Sequence, residues 1–278
     1  MPTRPELPPT RALVWLYTPV AQREAFAALC GIEAEIAASL QAGLDHEVAH
    51  ARLAWWGEEC ARTTLGSPTH PLTRSLVAGL AASHLPALAG LSGFVATARW
   101  DLAAASFETR ASLSAYCGSW ADAMITPLMR FAGAPAAGAK FGAALREIEL
   151  LARLADDARL GRLRVTLADL AAAPATAAQL AQPPWPQGLA RLLATRHRQL
   201  RAELAAGVAQ LPRPAQPAVS GLMVWAQLAA LQSQRGERAL PKALNPRDHH
   251  RPLAAWHAWR AARRAAGGRF ALSERIGV

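Results

Sequence analysis

The run Ala139–Leu160 reads AKFGAALREIELLARLADDARL and admits one local structure. Alanine, leucine, arginine and glutamate lose little on entering a helix, and β-branched residues, which lose more, are nearly absent. Gly161 follows as the stop. The same bias runs through the whole chain, in which alanine, leucine and arginine dominate and no stretch alternates apolar and polar residues long enough to specify a sheet. The fold class this dictates is all-α. With 278 residues, 52% of them hydrophobic, the chain can bury a full core, and no linker divides it. One domain over 1–278 is expected, with a loose Pro-rich start at 1–10 and a basic, Trp-containing segment at 245–278.

Periodicity and punctuation place the helices at Arg11–Tyr17, Gln22–Ala42, Asp45–Thr64, Pro71–Leu80, Pro86–Ala105, Glu108–Phe131, Ala139–Leu160, Gly188–Gln210 and Val219–Gln234. Phe26, Leu29, Ile36 and Leu40 form the apolar stripe of the second, and Thr109 is the N-cap expected before the sixth. Gly66-Ser67-Pro68, Gly133–Gly138, Gln182–Gln187 and Leu211–Pro217 are turns. Val77–Ala98 is nearly free of charge, but it contains Ser83, His84, Pro86 and Ser92, so it reads as a buried hairpin broken near Pro86 and not as a membrane span.

The formal charge of +10 is unevenly placed. From Pro186 onward there are 15 Lys+Arg against 4 Asp+Glu, a net of +11, and the remaining 15 basic and 16 acidic residues leave −1 for the rest. Arginine on the C-terminal third suits phosphate contacts, so an anionic membrane surface or an acidic protein is an expected partner. Trp256, Trp259, Arg260, Arg263 and Arg264 fit an interfacial helix or a helix docked on the body. No helix-turn-helix or RNA-binding motif supports nucleic acid. His249, His250 and His257 lack a helical i, i+4 pair and a nearby cysteine, which argues against a metal role. Cys30, Cys60 and Cys117 make no metal spacing and fit a reduced, cytoplasmic compartment, with no signal peptide expected.

Several segments in order carry a resemblance: Tyr17-Thr18-Pro19 with Arg23; Ala27–Cys30 leading to Glu33-Ala34-Glu35; Arg52-Leu53-Ala54-Trp55-Trp56 with Glu58-Glu59; His70-Pro71; Asp101, Thr109, Tyr116 and Cys117; and Asp157–Arg162. Together they resemble the squalene/phytoene synthase family. That resemblance implies an isoprenoid synthase-type helical bundle around a central apolar cavity, taking prenyl diphosphates. In active members, aspartates on facing helices hold Mg²⁺, which draws off diphosphate.

Set against that pattern, the three aspartates of the first motif fall on Ala34, Glu35 and Ala38, with Glu33 expected to face elsewhere on its helix. The two of the second motif fall on Arg153 and Asp157, and the Tyr-Leu-Pro after the Gly-Arg turn is Arg164-Val165-Thr166. Arg23, Glu35, Tyr116, Arg153, Asp157 and Arg162 are therefore the candidate diphosphate or cavity residues, and Glu35 and Asp157 the candidate metal ligands. The implied function is a non-catalytic or altered relative that binds a prenyl-type ligand, such as a prenyl diphosphate or isoprenoid lipid, or a protein partner. A mitochondrial complex I assembly factor with eroded motifs is similar in this respect. No cofactor is then expected. The alternative is an active prenyltransferase that joins two prenyl diphosphates head to head with Mg²⁺. A cytoplasmic protein, peripheral at the inner membrane, fits both.

Overall fold

The computed structural model describes residues 7–41, 43–78, 80, 82–134, 138–244 and 252–272. Its α-helices are α1 (Pro9–Tyr17), α2 (Val20–Ala37), α3 (His46–Thr64), α4 (Pro71–Ala78), α5 (Gly93–Leu102), α6 (Arg110–Phe131), α7 (Gly138–Ala152), α8 (Leu154–Arg159), α9 (Leu167–Ala172), α10 (Ala177–Ala181), α11 (Gln187–Ala209), α12 (Ser220–Ala239) and α13 (Pro252–Ala266). Among the described residues there is no strand.

Helices α3, α6, α9 and α10 start where a side chain meets the free backbone N–H groups. Asp45 Oδ1 accepts from the N–H of Glu47 and Val48 at 2.8 and 3.3 Å and opens α3. Thr109 and Ser112 form a reciprocal capping box at α6, so the expected cap is the observed one. Gly161 ends α8 at φ +76°, a conformation that costs a residue with a Cβ.

The long helices α6, α7, α11 and α12 pack side by side, with α2 against α4 and α6, and α1 and α13 against α12. Phe26, Leu29, Ile32, Trp120, Leu145, Ile148 and Trp225 are among the fully buried side chains in the core between them. Each such large apolar side chain contributes roughly 1.5–3 kcal/mol of transfer free energy. The helices approach closely where side chains are absent: a Cβ on Gly93 would lie 1.9 Å from the Ser119 carbonyl oxygen, so any larger residue pushes α5 off α6.

The structure departs from the sequence expectation in four places. The stretch expected as Pro86–Ala105 begins as a 3-10 segment, Ala82–Leu88, and the α-helix runs only from Gly93 to Leu102. The Ala139–Leu160 helix breaks at Arg153, with φ −111° and ψ 14°. Thr166 and Thr176 cap two short helices, α9 and α10, in a stretch to which the sequence assigned no helix. Helical structure begins at Pro9, inside the stretch expected to be loose, while residues 1–6 lie outside the described residues.

The C-terminal helix α13 buries Ala258, Ala261 and Ala265 against the body. His249 and His250 lie outside the described residues. Among the described residues, no helix is long and apolar enough to cross a membrane.

Candidate functional site

Where α1, α2, α6, α7 and α12 meet, two carboxylates face each other across two guanidinium groups. Glu33 on α2 accepts from Trp120 Nε1 at 2.6 Å, and Glu149 on α7 accepts from Trp225 Nε1 at 3.1 Å. Arg146 Nη1 lies 3.5 Å from Glu33 and 3.2 Å from Glu149. Arg11 Nη2 lies 3.4 Å from each. The Arg11 guanidinium sits 3.7 Å from the Trp225 ring centroid, and that of Arg146 sits 5.0 Å from Trp120, both within cation–π range. Two positive and two negative groups thus neutralise one another in a part-buried centre. Burial works against both arginine charges, but it is outweighed: Glu149 and Glu33 push Arg11 above its ordinary value, and Tyr116, Glu33 and Glu149 do the same for Arg146. Arg11 Nη1 and Arg146 Nε are buried without a hydrogen-bond partner.

A second polar cluster joins α5, α6 and α8. Arg164 donates through both terminal nitrogens to Asp101, at 2.7 and 2.9 Å, and through Nε to Asp157 at 2.8 Å. Tyr116 donates to Asp101 at 3.1 Å, beneath the Arg164 guanidinium. Burial raises the Tyr116 phenol above its usual range. Arg164, which the resemblance sets where its relatives have tyrosine, thus spends its fork on Asp101 and its Nε on Asp157.

The sequence candidates are therefore dispersed. Asp157 and Tyr116 lie in the Arg164 cluster. Glu35 is exposed, in a separate cleft of about 210 Å³ with Arg52, Trp55, Trp56 and His70. Arg153 is exposed, at the residue where the helix breaks. Arg162 is half-buried, and its N–H donates to the Asp157 carbonyl at 2.8 Å. Arg23 ties off the end of α1, donating to the Thr18 and Leu16 carbonyls at 3.0 and 2.8 Å.

The expectation for Glu33 is corrected: it faces inward, and Glu35 faces out. The signal was present, because Phe26, Leu29 and Glu33 follow the i, i+3, i+7 spacing of one helix face. Nothing local marked Arg11, Trp120, Arg146 and Trp225 as its partners.

Mg²⁺ needs oxygen ligands in near-octahedral array, free to take the ion and its waters. Among the described residues, no group of three or more His, Cys, Asp or Glu side chains is placed to hold a metal. Glu33 and Glu149 are already bridged by guanidinium groups, and Asp157 is held by Arg164. The residues present do not fit the ion.

A further cleft, of about 780 Å³, lies elsewhere, between α6, α9 and α11. Arg110, Asp169, Arg191, Arg196 and Glu203 line it, above the buried Glu147 that receives Arg110 at 2.9 Å and Arg196 at 2.7 Å.

With fold and site in view, the chain belongs to the squalene/phytoene synthase family, whose model matches residues 8–256. A dehydrosqualene synthase solved in complex with a ligand is similar in structure, with a TM-score of 0.72 at 16% identity over 92% of this chain and 90% of that one. The squalene synthase HpnC from Alicyclobacillus acidocaldarius is also similar, with a TM-score of 0.66 at 20% identity over 82% of this chain and 87% of that one. At these identities the likeness is one of fold. No curated protein matches the chain by sequence.

Proposed function

We propose that this protein is a non-catalytic or functionally altered member of its family, a scaffold of one domain over 1–278 that binds a prenyl-type ligand or a protein partner without condensing prenyl diphosphates. The observation that carries this reading is the position of Arg11 and Arg146 between Glu33 and Glu149. Diphosphate departure in the family mechanism is assisted by a metal held on facing carboxylates. Here two fixed guanidinium charges stand between the two inward carboxylates, and a third cation there would meet strong repulsion. The network is neutral as it stands and needs no ion.

A second observation supports a membrane-peripheral setting. Leu253, Trp256 and Trp259 are among the exposed large apolar residues, on an α13 that carries Arg260, Arg263 and Arg264 and no acidic residue. Aromatic side chains beside cations suit the anionic surface of the inner membrane, approached from the cytoplasm.

The test is incubation of the purified chain with radiolabelled farnesyl and geranylgeranyl diphosphate and excess Mg²⁺ or Mn²⁺, followed by extraction of apolar product. No product is expected, alongside thermal stabilisation by a prenyl compound in the absence of metal. Product that disappears in Glu33→Gln/Glu149→Gln would overturn the reading in favour of an active head-to-head prenyltransferase.

A further inference from the structure

Two histidines open α3 one helical turn apart. His46 is its first residue and His50 follows at i+4, on the same face, and both are exposed. The rings converge at their tips: the centroids are 4.6 Å apart with planes at 83°, while the two Nε2 atoms are 3.1 Å apart. For a metal at the usual zinc–imidazole length, a 3.1 Å separation subtends roughly 95–102°, between the octahedral and tetrahedral angles.

We propose that His46 and His50 form a bidentate surface site for a borderline divalent transition ion of the zinc, nickel, cobalt or copper class. Imidazole suits these ions, whereas Mg²⁺ prefers oxygen. Asp45 Oδ1 is committed to capping the helix. Among the described residues, no third ligand completes a cluster, so water fills the remaining positions and leaves them open to exchange. The site shares no residue with the Arg11–Glu149 centre and does not rest on the function proposed above.

The same 3.1 Å separation would also suit a hydrogen bond between two neutral rings, and metal titration separates the two. The experiment is calorimetric titration of the tag-free full chain with Zn²⁺ and Ni²⁺, with Mg²⁺ as the control. The chains compared are wild type, His46→Gln, His50→Gln and His249→Gln/His250→Gln. One ion per chain is expected, with affinity falling at least about tenfold in either α3 variant, no change in the tail variant and no Mg²⁺ binding. The α3 positions are exposed, and circular dichroism checks that the variants fold. No binding by wild type, binding unchanged in the α3 variants, or loss confined to the tail variant would each overturn the site.

Discussion

The Arg11 guanidinium lies over the Trp225 ring at 3.7 Å, and the indole N–H of that same ring donates to Glu149, which also faces Arg11. One aromatic side chain therefore braces both members of an ion pair that links α1, α7 and α12. The centre is a closed electrostatic unit: each charge is held by an opposite charge, a ring face or an indole N–H.

Breaking one member of that unit leaves part-buried charge uncompensated. Arg146→Met is expected to destabilise the protein by about 3–5 kcal/mol in urea unfolding, because Glu33 and Glu149 then face each other with one guanidinium fewer. Arg146→Met combined with Glu149→Met should cost less than the sum of the single changes. Full additivity in that double-mutant cycle would mean the pair is not coupled.

His197 is buried between α11 and α12, with Nδ1 3.1 Å from Ser233 Oγ. Burial, helped by the charge of Arg201, lowers its pKa to about 4. Between the ordinary histidine value and about 4, the unfolded chain binds a proton that the folded one refuses. Stability should therefore fall on acidification through that window, by about 3 kcal/mol in all. In His197→Gln, the urea midpoint should depend on pH less steeply between 6.5 and 4. An unchanged slope would assign the loss to other groups.

Glu59 anchors the start of α4 to α3. Its carboxylate receives the N–H of Thr69 at 2.7 Å and of His70 at 2.8 Å, the hydroxyls of Thr69 and Thr73, and Arg62 Nε at 3.0 Å. Burial opposes the charge, but the hydrogen bonds from His70, Thr69 and Thr73 outweigh it and hold the pKa at about 2. The stabilisation is fully present above the usual carboxylate range and is lost as pH falls through about 2. Glu59→Ala should cost about 3 kcal/mol, since five donors, among them the buried Thr73 hydroxyl, lose a charged acceptor at once. A thermal melt at neutral pH measures it.

The face of α13 predicts lipid selectivity. Trp256 and Trp259 are 47% and 44% exposed, so Trp256→Ala/Trp259→Ala should leave the melting temperature nearly unchanged. Co-sedimentation with phosphatidylglycerol vesicles should drop in that variant and in high salt, and should be weak with neutral phosphatidylcholine vesicles. Equal binding of the variant and the wild type would exclude this face.

The sequence by itself determined that the chain is helical and where most helices lie, because propensity, apolar period and capping are local properties. Asp45, Thr109 and Gly161 mark their boundaries in the sequence as they do in the structure. It also carried the order of family segments, and the family follows from them. Inward and outward sense was legible only where the stripe was apolar: Phe26 and Leu29 pointed the way, but a charged residue on that stripe read as surface. Tertiary structure alone decided that Glu33 turns inward to Arg146 and Arg11, that Asp157 is claimed by Arg164, and that Glu35 and Arg153 face out. The physical reason is that a buried charge is stable only beside its partners. Those partners lie on helices as far apart in sequence as Arg11 and Glu149, so no local pattern specifies them.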